Sequence, residues 1–332
     1  MLKKKLAFLL SVMLVFSVAG YVICAAAGSK QTEKQEGETY VVSSFYPMYI
    51  LTKNLLMQSP TLSVENLTEN QTGCLHDYQL TARDMKLLAD ADAFLINGAG
   101  MELFLGKILE EYPSLPVITA TDGIELLTET GHVHSHETEQ DEAHHEELAQ
   151  GEKETEHDHE ENGHVWMDVE RYREQAVNVC TELVTLFPEE KEYIIEAWKE
   201  YDAKLLDLSA EVQELREETQ GGYVVVFHDA FVYLADSLGM DVISVLALDD
   251  ETVPSAGEIA EVVEEIKHHG ETWILIEEAY AVHAEKIVAE TGAKVLLLDP
   301  LVTGADHADS YLDGMAENLN QIKDLIDKEN KQ

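Results

Sequence analysis

The chemistry this chain offers lies in its histidines and carboxylates. Three histidines stand apart from polar runs, each inside a distinct motif: His76 in GCLHDY, His164 in GHVWMD, and His228 directly after YVVVF. Two carboxylates occupy comparable positions, Glu277 after WILI and Asp299 after KVLLL. Parallel α/β sheets collect ligand groups just beyond the carboxyl ends of their strands. His228, Glu277 and Asp299 are therefore expected on one edge of one sheet, although polar residues are common at strand ends for other reasons. Three imidazoles and one carboxylate suit Zn²⁺, which takes four ligands at roughly 2.0–2.2 Å for N and O. Imidazole also suits Cu²⁺ and Ni²⁺, while Mn²⁺ prefers a shell richer in oxygen. The candidate set is His76, His164 and His228, with one of the two strand-end carboxylates, Glu277 or Asp299, to complete the shell. Cys74 lies two residues from His76 and is set aside, because a Cys-x-His pair on one loop often points its side chains apart.

Between Gly131 and Gly163 the composition changes to Glu, Asp, His, Gln, Thr and Gly. Half of the 14 histidines fall here: His132, His134, His136, His144, His145, His157 and His159. So polar a segment cannot bury a face and reads as a long loop. Repeated His-x-His among carboxylates favours loose capture of transition metals over the blander reading of a solvated acidic linker. A flexible chain gains little preorganisation, so such sites bind weakly. The loop ends at His164, beside the expected tight site.

The elements that must position these groups alternate. Strands are expected at 39–44, 62–67, 93–96 and 117–120, with helices from Pro47 to Leu56, after an N-cap at Thr81, and over 102–111. The second half repeats the pattern, with strands at 223–227, 242–246, 273–276 and 294–298. Its helices are expected at 231–238, after Pro254 through His268, at 281–290 and at 311–327. Strands alternating with helices of this length indicate parallel α/β construction. Between the halves, Ile194, Trp198, Tyr201, Leu205, Leu208, Val212 and Leu215 recur at helical spacing. Pro188 divides that region, placing the start of a second long helix at Glu189. The expected fold is α/β, with two parallel-sheet lobes joined by a helical strut. Its segments are a signal peptide (1–28), a tether (29–38), a first lobe (39–168) containing the loop 131–163, a connector (169–220) and a second lobe (221–332).

Lys3, Lys4 and Lys5 precede an apolar run to Ala19, followed by small residues at Ala25–Ala27, as in secretory signal peptides. Cys24 is either a lipid-attachment site or lost by cleavage near those alanines; Ile23 stands where lipoproteins usually carry a small residue. Few cysteines remain, which excludes a disulfide-built scaffold. Lys and Arg number 22 against 65 Asp and Glu, a formal charge of −43. Nucleic acid is excluded as a partner, because phosphate binding needs a basic face.

The segments SFYPMYILTKNL, LHDYQLTARDMKLLADADAFLINGAGMELFL, GHVWMD, FHDAFVYLADSLGM and ETGAKVLLLDPL, in this order and around the acidic His-rich insertion, carry a resemblance. The chain resembles the zinc-specific solute-binding proteins of bacterial ABC importers, over essentially its whole length beyond the export signal. The resemblance implies two α/β lobes bridged by one long helix, with metal between them. It implies His76, His164 and His228 as ligands, with Asp299 at the position where relatives supply an acidic one. Zinc binders typically carry His at the third position and manganese binders Glu; this chain has His228. Leu75 departs from the proline common before the first histidine. The implied protein is an exported monomer in the periplasm or on the outer face of the membrane, attached only through a lipid at Cys24. It hands Zn²⁺ to an ABC permease and ATPase. Other readings are manganese or iron import by the same fold, a metal buffer or surface adhesin, and a zinc hydrolase with three histidines and an activated water. No His-Glu-x-x-His helix accompanies the histidines to support a hydrolase.

Overall fold

The computed structural model describes residues 39–68, 75, 78–128, 161–246 and 254–331. The signal peptide, the tether, Cys24, Cys74, His76 and the loop histidines His132, His134, His136, His144, His145, His157 and His159 lie outside the described residues.

Each half is built on a four-stranded parallel sheet. In the first, β1 (Thr39–Ser43), β2 (Leu62–Asn66), β3 (Ala93–Ile96) and β4 (Val117–Thr119) lie in the order β2-β1-β3-β4. In the second, β5 (Tyr223–Val226), β6 (Asp241–Val245), β7 (Thr272–Ile276) and β8 (Lys294–Leu297) lie in the order β6-β5-β7-β8. The two lobes thus share one topology, although no sequence repeat relates them. Central strands read as continuous apolar runs, because helices cover both faces of a parallel sheet. All four residues of β3 and all five of β7 are buried. In both sheets the strand order reverses between the two central strands, which opens a crevice at their carboxyl ends.

The first lobe carries helices α1 (Tyr46–Leu56), α2 (Ala82–Ala89) and α3 (Leu105–Glu111). Thr81 caps α2 as expected: its hydroxyl accepts from the Asp84 amide at 3.3 Å, and Asp84 accepts from the Thr81 amide at 2.7 Å. Helix α3 begins three residues later than expected. Glu102 is turned inward instead, accepting from the amides of Asn97 (2.8 Å) and Gly98 (3.0 Å) and from the Ser44 hydroxyl (2.7 Å).

Two helices, α4 (Val169–Leu186) and α5 (Lys191–Thr219), pack together between the lobes. A short 3₁₀ turn at Pro188–Glu190 precedes α5, so the expected start at Glu189 moves to Lys191. The 29 residues of α5 span about 44 Å at 1.5 Å per residue. Its Ile194, Ala197, Tyr201, Leu205, Leu208, Val212 and Leu215 are buried, one every turn. The second lobe carries α6 (Ala230–Ser237), α7 (Ala256–His269), α8 (Glu285–Thr291) and α9 (Ser310–Glu329). A 3₁₀ stretch, Glu278–Ala284, stands where the expected helix at 281–290 would have begun. Among the described residues no helix is long and apolar enough to cross a membrane.

The lobes do not have separate cores. One apolar cluster runs from Val41 and Met48 through Trp166, Tyr172 and Leu205 to Phe231, Tyr311 and Leu319. Only the outer face of the second sheet has its own cluster, around Val225, Phe227, Ile266 and Ile274. Polar ties reinforce the shared core. Tyr46 donates to Ser310 Oγ (2.8 Å), Tyr49 to Asp306 (2.8 Å), and Asn54 Nδ2 to the Ala308 carbonyl (2.8 Å). Gly304 is required here, since a Cβ would collide with the Tyr46 hydroxyl. Continuous packing of this kind resists large lobe rotation, because close-packed interiors deform little.

Candidate metal centre

His228 is placed by the second sheet's switch point. Strand β5 ends at Val226, and Phe227 continues the ladder by donating to the Leu275 carbonyl on β7 (2.9 Å). The chain then turns into α6, and His228 emerges between β5 and β7. Glu277 follows β7 directly and accepts from His228 Nδ1 at 2.8 Å. A carboxylate acceptor makes Nδ1 the protonated nitrogen and leaves the lone pair on Nε2, as carboxylates bonded to the far nitrogen of metal-binding histidines do. Asp229 Oδ1 lies 3.4 Å from that Nε2. Two electron-rich atoms face each other there, longer than an ordinary hydrogen bond. A cation or a proton between them makes the arrangement favourable.

His164 arrives differently. It precedes a 3₁₀ turn, Val165–Met167, and is fully buried. Asp168 closes the turn by capping α4, accepting from the amides of Glu170 (2.8 Å) and Arg171 (3.1 Å). Burial pushes the Asp168 carboxyl up, against the pull of Arg171. Trp166 locks the turn to the second lobe: its indole donates to the Pro300 carbonyl at 2.8 Å, and Tyr311 donates to its carbonyl at 2.7 Å. On the near side, the Asn97 amide donates to the Gly163 carbonyl (2.9 Å), and Gln175 holds Asn97 (2.9 Å). A Cβ at Gly163 would stand 2.9 Å from the Ala99 carbonyl, so only glycine lets the two segments approach. Asn162, also buried, accepts through Oδ1 from the His164 amide (2.9 Å) and faces His164 Nδ1 (3.0 Å).

The two rings meet edge to face with centroids 5.0 Å apart. Ligand atoms from His164, His228 and Asp229 all lie within 4.8 Å of one another. One imidazole thus comes from the first lobe's last segment and the other from the second sheet, with a carboxylate between them. Burial keeps water from screening the group, so any charge placed there acts strongly.

Asp299 is outside that group. Its carboxylate accepts from the Leu301 amide (2.8 Å), and Asn318 pairs with its backbone (2.9 and 2.8 Å). It thereby shapes the turn that presents the Pro300 carbonyl to Trp166. Burial pushes its carboxyl up, and the neighbouring Glu277 charge adds to this against the Leu301 amide. Glu277, held in reserve as a ligand from sequence, bonds the back of His228. Leu75 is buried and accepts from the Tyr78 amide (2.9 Å), but His76 lies outside the described residues. Sequence reasoning missed two residues. Asp229 was legible as the neighbour of a strand-end histidine. Asn162 was hidden inside a segment whose composition reads as loop.

The sequence pattern of the zinc-uptake complex component A, periplasmic, family matches residues 41–325. The chain is 28% identical over 319 residues to the high-affinity zinc uptake system protein ZnuA of Bacillus subtilis, covering 93% of this chain and 95% of that protein. It is also 28% identical over 322 residues to the zinc-binding lipoprotein AdcA of Streptococcus pneumoniae. That match takes in 96% of this chain but spans only 61% of AdcA. The Zn(II)-bound ZnuA-like domain of the same AdcA superposes with a TM-score of 0.66 at 27% identity, covering 87% of this chain and 98% of the domain.

Proposed function

Since the chain belongs to the zinc-uptake complex component A family, we propose that it captures Zn²⁺ between its two lobes and passes it to an ABC permease and its ATPase. The ion is cargo, and no bond of a substrate is made or broken. The observation that carries this reading is the pair of buried imidazoles from different lobes with Asp229 between them. His164 and His228 supply nitrogen, and His76 supplies the third imidazole. Asp229 or Asp299 supplies the oxygen. A shell with three imidazoles favours Zn²⁺ over Mn²⁺. The shared core limits opening to local movement around the crevice, so metal exchange depends on the loops that carry the ligands. The loop histidines from His132 to His159 act as weak collectors of metal. The protein works outside the cytoplasm as a monomer, held to the membrane face through Cys24, in keeping with the lipoprotein AdcA among its relatives.

The test is a competition titration of the metal-stripped protein with Zn²⁺ and Mn²⁺. The seven loop histidines are replaced by glutamine to silence weak sites. One tight zinc site that excess manganese does not displace is expected. A preference for manganese, or no tight site, would overturn the reading.

A further inference from the structure

The two central histidines are held at Nδ1 by different groups. His228 is held by the carboxylate of Glu277. His164 is held by the neutral amide of Asn162, whose side chain is buried and hydrogen-bonded at both its oxygen and its nitrogen. Asn162 Nδ2 donates to the Asp229 carbonyl at 2.8 Å, and Oδ1 accepts from the His164 amide at 2.9 Å. A backbone carbonyl can only accept and a backbone N–H can only donate. These two partners therefore fix which end of the amide is which, and Oδ1 must face His164 Nδ1. An oxygen acceptor there requires a proton on Nδ1. Asp229 Oδ2 lies 3.5 Å from the same nitrogen, longer than an ordinary hydrogen bond, so Asn162 is the group that sets the tautomer.

The backbone of Asn162 is pinned as firmly as its side chain. Its amide donates to the Leu127 carbonyl (2.8 Å), and its carbonyl accepts from the Tyr233 hydroxyl (2.7 Å). Tyr233 Oη accepts in turn from the Leu127 amide (3.0 Å). One residue thus joins the first lobe at Leu127, the second lobe at Asp229 and Tyr233, and the ring of His164.

We infer that Asn162 is the positioning residue of the site: it holds His164 as the Nδ1–H tautomer with Nε2 as donor atom, and ties that ring to the Asp229 segment of the opposite lobe. The inference rests on the reading of His164 as a zinc ligand. Groups that hydrogen-bond the far nitrogen of a metal-binding histidine typically change metal affinity by roughly ten- to a hundredfold when removed.

The test reads the tautomer directly. Metal-free protein with ¹⁵N-labelled histidine is examined by NMR, and the His164 signals are assigned by their loss in His164→Gln. The Nδ1–H form is expected in the wild type. In Asn162→Ala the Nε2–H form should gain population, and zinc should bind roughly ten- to a hundredfold more weakly. Asn162→Asp keeps the acceptor toward His164 but cannot donate to Asp229. It should retain the Nδ1–H form while still losing affinity, through the broken tie. A wild-type His164 in the Nε2–H form, or an unchanged tautomer and affinity in Asn162→Ala, would overturn the inference. Should Asn162→Ala fail to fold, the wild type and Asn162→Asp still decide it. A wild type that binds no zinc yet shows the expected tautomers would sink the zinc reading and leave the role of Asn162 standing.

Discussion

The two lobes have the same strand order and use it in opposite ways. At the second switch point, between β5 and β7, the side chains that emerge are His228 and Glu277, a histidine and its partner. At the first, between β1 and β3, they are Ser44 and Asn97, and neither is a metal ligand. Both serve a scaffold: Ser44 and the Asn97 amide bind Glu102, and the Asn97 side chain holds Gly163. His164 arrives on a separate segment that the scaffold grips. One topology thus presents one candidate ligand directly from strand ends and holds another at second hand. A strand-end ligand is positioned by the sheet's own hydrogen bonds. A ligand on a later segment must be held by buried polar groups, each of which is costly if left unpaired.

The comparison can be broken most severely by His228→Ala. If the roughly 10–16 kcal/mol found for structural zinc in zinc-finger peptides is shared equally among four ligands, one is worth about 2.5–4 kcal/mol. Zinc affinity should fall by roughly 10²–10³-fold, read by chelator competition, and the metal-free protein should also lose some stability, because a buried ring and the partner of Glu277 are removed.

Acid comes next. Imidazoles bind metal only when neutral, and an unperturbed imidazole titrates near 6.5. Below that pH, affinity should fall by up to about a hundredfold per unit through His164 and His228, and more steeply still if His76 must also lose a proton. Equal affinity at pH 5.5 and 7.5 would argue that the histidines are not the ligands.

Glu277→Gln separates the two switch points more finely. It keeps the shape but replaces a charged acceptor, so zinc affinity should drop by roughly tenfold or somewhat more with little change in stability. Glu102→Ala is its counterpart in the first lobe. It leaves the Asn97 and Gly98 amides unsatisfied and should cost about 1–3 kcal/mol of stability. Any effect on zinc should be smaller and should follow from loosening Gly163. If denaturant unfolding showed Glu102→Ala to be neutral while zinc binding collapsed, the first switch point would be a direct site after all.

The smallest effect belongs to the lobe tie at the surface. Lys53→Ala removes the ion pair to Asp306. Partly exposed pairs contribute about 0.2–1 kcal/mol, so stability should change by no more than that and zinc binding should stay the same.

Local pattern alone specified much of this molecule. The apolar runs AFLI and TWILI are strands because continuous burial on both faces needs no alternation, and the turn-by-turn apolar residues of α5 could only be helical. His228 and Glu277 were readable as edge residues because the end of a parallel strand is where a side chain leaves the sheet. His164 was readable only as a histidine beside an apolar motif. The shared strand order of the lobes was not legible, since pairing partners are set by contacts distant in sequence. Nor was the hydrogen bond by which the Asp299 carboxylate serves a turn that presents Pro300 to Trp166. Asn162 makes the difference plainest. Its neighbours are polar and its local composition is that of a loop, so nothing near it in sequence marks it as buried. It is buried because Leu127, Asp229 and Tyr233, each more than thirty residues away, converge on its backbone and amide. Sequence carries the propensities of neighbours along the chain, whereas hydrogen-bond satisfaction in a dry interior depends on whatever tertiary packing brings alongside.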